Sequence, residues 1–322
     1  MNAVADKYLN GVRRSWNGSP ALTSVACIMS LALAGAVIGL VIDCRVITGV
    51  PAWIKPAKFA LSTAIYSGTL AWIFAFVDVW RRFRKILAGI LSAVLFIEIG
   101  IIFIQAARGT TSHFNVGTTL NALLYTVMGI SIGLLFLASI GVLVILFRQH
   151  FTNRALGWAL RLGVLITVLG SGIGGLMTRP SSDQQRMMAA RERPKVVGAH
   201  TVGAPDGGPG IPILGWSTEH GDLRVPHFFG LHGMQVIPLL YFFARWRRRN
   251  HQLTGFVFAS AAGYLAFIGI LAWQALRGES PLAPGTEVLY AELACGALLS
   301  ISVIWTLRRP IEKPELRTAV VL

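Results

Sequence analysis

Long apolar stretches, each broken by a short polar or basic one, dominate this chain. Eight of them, near residues 22–43, 59–79, 86–107, 122–147, 155–178, 227–244, 253–276 and 286–307, approach or exceed the roughly 20 residues needed to cross a bilayer. The pattern predicts an all-α integral membrane protein with eight transmembrane helices. The first stretch is too long for a signal-peptide core and reads as a retained anchor. Residues 1–20 and 310–322 read as polar tails. The one long break, residues 180–226, carries Ile211, Ile213, Leu214 and Trp216 among its glycines and prolines. A flexible linker has no need of such side chains, so an ordered cap is expected between the fifth and sixth spans, opened by a short surface helix in SSDQQRMMAARERPK.

Composition agrees with the pattern. Only 13% of the 322 residues are charged and 54% are hydrophobic, with mean hydropathy +0.62. The net charge of +15 is distributed as a topology signal: RRFRK (81–85), RWRRR (245–249) and the basic residues of alternate loops and both tails fall on one side if both termini are cytoplasmic. This placement argues for a lipid bilayer as the partner and against nucleic acid. Cys27, Cys44 and Cys295 have no metal-ligand or disulfide spacing. On the outer side, Pro51 and Pro56 are expected to break the helix, and Lys55 and Lys58 to snorkel at the mouth of the second span.

A weak duplication runs through the chain. QAARG (105–109) returns as QALRG (274–278), 169 residues on, and PAKFALS (56–62) aligns with PHFFGLH (226–232), 170 residues on. Two four-helix repeats, 21–154 and 155–309, would then be parallel, with the cap inserted into the second. Under that alignment His227 replaces Ala57 and His232 replaces Ser62. Gly170 and Gly174 give small-residue spacing for close helix packing on the fifth span.

The chemistry concentrates on the outer side. GWSTEHGDLRVPHFFGLHGMQ (215–235) holds three histidines, and five of the seven in the chain lie outward. Glu98, in the middle of the third span, must face protein or water. Gln105 and Arg108 follow it towards the surface, then His113 and Asn115 in the next loop. The predicted pocket comprises Glu98, Gln105, Arg108, Asn115, Asp222, Arg224, Gln235 and Glu292, with His113, His227 and His232 as ligands of a b-type haem or a transition metal for membrane redox chemistry. Imidazole serves both, and such a centre calls for an electron-transfer partner or quinone. Three other readings stand beside it: a proton- or ion-coupled small-molecule transporter, a lipid-acting hydrolase with a histidine base oriented by Asp222, and a structural protein whose histidines pin the cap.

The stretches GDLRVPHFFGLHGMQ, RGTTSHFN and HTVGAPDGGPG resemble motifs of an uncharacterised family of bacterial multi-pass inner-membrane proteins. The resemblance covers most of the chain from the second span onward. It implies a bacterial inner-membrane setting and carries over no catalytic residue.

Overall fold

A computed structural model describes residues 11–247 and 253–308. Ten helices of eight residues or more are named here: α1 Pro20–Ile42, α2 Ile54–Phe74, α3 Arg81–Ala107, α4 Thr119–Arg148, α5 Arg154–Met177, α6 Ser182–Ala189, α7 Arg224–Leu231, α8 Gly233–Arg247, α9 Leu253–Leu276 and α10 Thr286–Arg308. Six of them, α1, α3, α4, α5, α9 and α10, are long and apolar enough to cross a membrane. The protein is therefore a multi-pass helical membrane protein. The predicted tail 310–322 and residues 1–10 of the tail 1–20 lie outside the described residues.

Local chemistry fixes the helix ends. Ser19 accepts from Leu22 N at 3.3 Å, and Pro20 fills the first position of α1, where a missing N–H costs nothing. Thr118 caps α4, and Asn153 caps α5. Ser181 and Gln184 form a reciprocal capping box on α6, the surface helix expected in the cap. At the other ends, α3 and α9 stop in the same way. Thr110 N bonds to Gln105 O and Gly109 N to Ala106 O; Glu279 N bonds to Gln274 O and Gly278 N to Ala275 O. Gly109 (φ 71°) and Gly278 (φ 77°) supply the left-handed residue this termination requires.

Two departures from the expected spans are instructive. The second helix starts and ends about five residues earlier than its hydropathy suggests. Pro56 sits inside its first turn, where it breaks no intrahelical bond, and so Lys55 and Lys58 belong to the helix. The sixth predicted span is not one helix. It breaks at His232, between α7 and α8. Gly230 meets Gly170, and Gly233 meets Gly163, so closely that an added Cβ would lie 2.4 Å and 3.0 Å from backbone atoms. Thr167 Oγ1 accepts from Met234 N at 3.0 Å and lies 3.2 Å from Leu231 O, satisfying groups that the break frees.

Helices pack in the same order in both parts of the chain. α1 lies on α2, α3 on both, and α4 on α3; α5 lies on the α7–α8 pair, α9 on both, and α10 on α9. The parts meet through α4 against α5, through Trp72 against Phe242, and through Gln235 donating to Thr69 at 3.2 Å. The main core, including Leu70, Phe74, Leu91, Leu160, Ile237 and Tyr241, spans both parts.

The segment between α5 and α7 folds over one end of the bundle. Strand β1 (Thr201–Val202) pairs antiparallel with β2 (Gly221–Asp222), and Asn115 bridges Val196. Phe114, Met177, Leu223 and Ala275 form a small core beneath it. The expected cap is thus ordered, and it covers the end of the bundle where the candidate residues lie.

Candidate functional site

His113 is the centre. It sits in the loop between α3 and α4, against Phe59 and Phe114. Lys55, from the first turn of α2, places Nζ 3.1 Å from His113 Nδ1. Ser112 Oγ lies 3.0 Å from the same nitrogen. On the other edge of the ring, Nε2 is 3.3 Å from Glu98 Oε1. An ammonium can only donate, so Nδ1 is the acceptor and the ring proton belongs on Nε2, facing the carboxylate. Burial and the Lys55 charge hold the pKa of His113 well below its ordinary value, so the ring is neutral at pH 7. Glu98 is 4% exposed, and its second oxygen, Oε2, has no hydrogen-bond partner among the described residues. An ammonium, an imidazole and a carboxylate therefore form one buried chain.

Two flanking clusters complete the capped end. His200 Nδ1 lies 2.6 Å from Asp206 Oδ2, and its ring packs edge-on against Phe114, 4.8 Å between centroids. Burial lowers the His200 pKa more than Asp206 raises it. Burial alone would raise Asp206, but bonds from His200 and from the Thr201 amide hold it below the usual carboxylate range. On the other flank the buried Asp222 accepts a bidentate pair from Arg224, with Nε to Oδ1 at 2.9 Å, and the Ser217 amide at 2.8 Å. Lys58 Nζ and Arg224 also reach into the cap, donating to Leu214 O at 2.8 Å and Gly215 O at 2.5 Å.

The remaining predicted residues divide among several places. Gln105, Arg108 and Asn121 bond to one another at the end of α3, away from the Glu98 contact. Asn115 holds its own loop through Thr110 and Thr111. His227 Nδ1 faces Gly170 O at 2.8 Å, and Gly174 leaves room for its ring. His232 packs edge-on against Phe228, 4.5 Å between centroids. Gln235 turns towards Thr69, and Glu292 is half-buried on α10 without a hydrogen bond or ion pair among the described residues. Among those residues no group of three or more histidine, cysteine, aspartate or glutamate side chains is gathered for a metal. Asp222, cast as the orienting group for a histidine base, is taken up by Arg224 and Ser217.

Sequence reasoning assigned Lys55 and Lys58 to the interface; both point inward under the cap. It gave no role to His200–Asp206 or to Asp43–Arg45. The latter repeats the Asp222–Arg224 clamp: Arg45 donates through its amide (3.1 Å), Nε (2.9 Å) and Nη2 (2.6 Å) to the carboxylate two residues before it, and Nη1 reaches Ala107 O at the end of α3. The shared Asp-x-Arg spelling, DCR and DLR, was the available signal. Comparison with protein-family models, curated proteins and solved structures finds no match.

Proposed function

We propose that this is a proton-coupled carrier of a small molecule, with its proton site in the chain Lys55–His113–Glu98. The observation that carries the reading is Glu98 Oε2, a buried carboxylate oxygen without a hydrogen-bond partner among the described residues, while the other oxygen of the same carboxylate lies 3.3 Å from an imidazole that is itself approached by a lysine. Ionisable groups at this depth characterise proton relays in pumps and transporters. Protonation of Glu98 would give Oε2 a proton to donate; its loss would leave a carboxylate facing Nε2–H. The haem or metal reading asks His113, His227 and His232 to converge. Their rings instead face Glu98 and Lys55, Gly170 O, and Phe228, which favours proton chemistry.

The reading includes eight passes in a bacterial inner membrane, with the cap outside and both termini cytoplasmic. Here α2 and the α7–α8 pair serve as the second and sixth passes, as the alternation of basic loops requires. It also includes two parallel repeats. Supporting these are the common packing order, the matched α3 and α9 ends, and the two Asp-x-Arg clamps. In each half the same glutamine also reaches forward: Gln105 Nε2 bonds to Thr111 O at 3.1 Å and Gln274 Nε2 to Ser280 O at 2.7 Å.

The test uses the full chain in proteoliposomes with a trapped pH dye, challenged with small-molecule panels. Uptake that moves protons in the wild type and is uncoupled from protons in Glu98→Gln is the expected result. A variant that transports with an unchanged pH dependence would sink the assignment of Glu98.

A further inference from the structure

The carrier reading leaves the nature of the carried molecule open, and the underside of the cap narrows it. Residues 211–216 form a tight turn, with Ile211 N bonded to Trp216 O at 2.8 Å and Gly215 N to Ile211 O at 2.7 Å. At its tip Ile213 has φ 67°, a left-handed conformation that a β-branched side chain resists. The residue is 69% exposed, so burial does not offset that strain. Backbone bonds close the turn on itself, and something else must hold it against the bundle.

Two cations do so. Lys58 of α2 and Arg224 of α7 donate to the consecutive carbonyls of Leu214 and Gly215. Arg224 keeps Asp222 as a counter-ion, whereas Lys58 has no carboxylate partner among the described residues. A neutral carbonyl is a weak match for an ammonium, and an oxyanion makes charge-assisted bonds roughly twice as strong. Lys55, one turn from Lys58, adds positive charge close by. A strained peptide segment is thus occupying, with two carbonyl oxygens, a place suited to two anionic oxygens.

We propose that the 211–216 turn is a latch over an oxyanion site between Lys58 and Arg224. On the carrier reading, a carboxylate or phosphate group of the carried molecule displaces the two carbonyls, and the strain at Ile213 favours release of the turn. The cation pair draws one member from each half of the chain, so its occupation also ties α2 to α7 while the cap is open.

Hydrogen exchange of the 209–217 segment in the full chain tests this. The protein is held in phosphatidylcholine nanodiscs, and inorganic phosphate, acetate and chloride are added at equal ionic strength. Phosphate or acetate should raise exchange saturably, by about threefold or more, while chloride does not. Lys58→Ala should raise the basal exchange and remove the response. Ile213→Gly, which relieves the strain of the closed turn, should shift the midpoint to higher anion concentration. A response seen only in phosphatidylglycerol nanodiscs without added anion would identify a lipid headgroup as the source of the same oxyanion. No response in either arm, or a Lys58→Ala protein that responds as the wild type does, overturns the latch. Glu98→Gln keeps the anion response, so loss of proton coupling and failure of the latch are read separately.

Discussion

The two parts of this protein pack their helices in the same order and differ in what they place under the cap. Each ends its third helix on a glutamine, an arginine and a left-handed glycine, and each sets an Asp-x-Arg clamp against that end. Yet the spacing that carries Gln105 to Gln274 carries Glu98 to Phe267 and His113 to Leu282. The spacing that carries Pro56 to Pro226 carries Lys55 to Val225 and Lys58 to Phe228. The first half holds the buried ionisable chain where the second is apolar. The second half instead has a broken helix and contributes Arg224 and the cap. The α3 and α9 ends share one termination because the orphan carbonyls of both need partners, while the residues between such ends answer to different neighbours.

The largest effect expected from breaking this asymmetry falls on Glu98. Glu98→Gln should lower proton-coupled uptake by about a hundredfold or more, on the scale of a lost proton-transfer group, with folding retained. Phe267→Leu, at the equivalent place, should leave coupling intact in the same dye assay.

The clamps come next. Arg224→Ala leaves the fully buried Asp222 carboxylate without its cation and should cost about 3–5 kcal/mol in denaturant unfolding. Arg45→Ala removes the same pattern where the arginine side chain is 48% exposed, and should lower the denaturant midpoint far less than Arg224→Ala does. Equal losses would break the distinction drawn between a buried and an exposed copy.

Smaller and matched effects are expected at the helix ends. Gly109→Ala and Gly278→Ala each force a Cβ into the left-handed region and should destabilise by about 1–2 kcal/mol, similarly in both halves. A large difference between them would argue against equivalent terminations.

The gentlest expected effect is on pH dependence. His113 and His200 have folded pKa values below the unfolded one, so the folded state binds fewer protons and stability declines as pH falls through about 6.5. Asp206 acts in a lower window: its stabilisation is complete above about pH 3.8 and is lost as pH falls through its lower folded value. His200→Gln should flatten the first decline in unfolding curves recorded from pH 7.5 to about 5.

The sequence by itself determined the class and much of the layout. Runs of apolar residues long enough to span a bilayer leave the backbone no option but helix, and six predicted spans coincide with such helices. The fifth was expected at 155–178 and runs Arg154–Met177; the seventh was expected at 253–276 and runs Leu253–Leu276. An ordered cap was expected from Ile211, Ile213, Leu214 and Trp216; Trp216 does pack on Phe228 and Phe229, but Ile213 is exposed, and the small core under the cap is built from Phe114, Met177, Leu223 and Ala275 instead. Glu98 and His113 were legible as candidates because their depth and their neighbours are unusual.

Only the tertiary structure decided which of them meet. Hydropathy cannot register the break at His232, because it is made by Gly163 and Gly170 of another helix and satisfied by the Thr167 hydroxyl. A lysine stem is long and flexible enough to lead outward to water or inward to a partner, so spacing alone could not send Lys55 to His113 or Lys58 to Leu214 O. Nor could it separate Glu98 from Gln105 and Arg108, which share a helix but serve different neighbours. Local sequence sets helices and their ends through bonds a few residues long; the site is made of contacts between segments, and those follow from how the cap closes over the bundle.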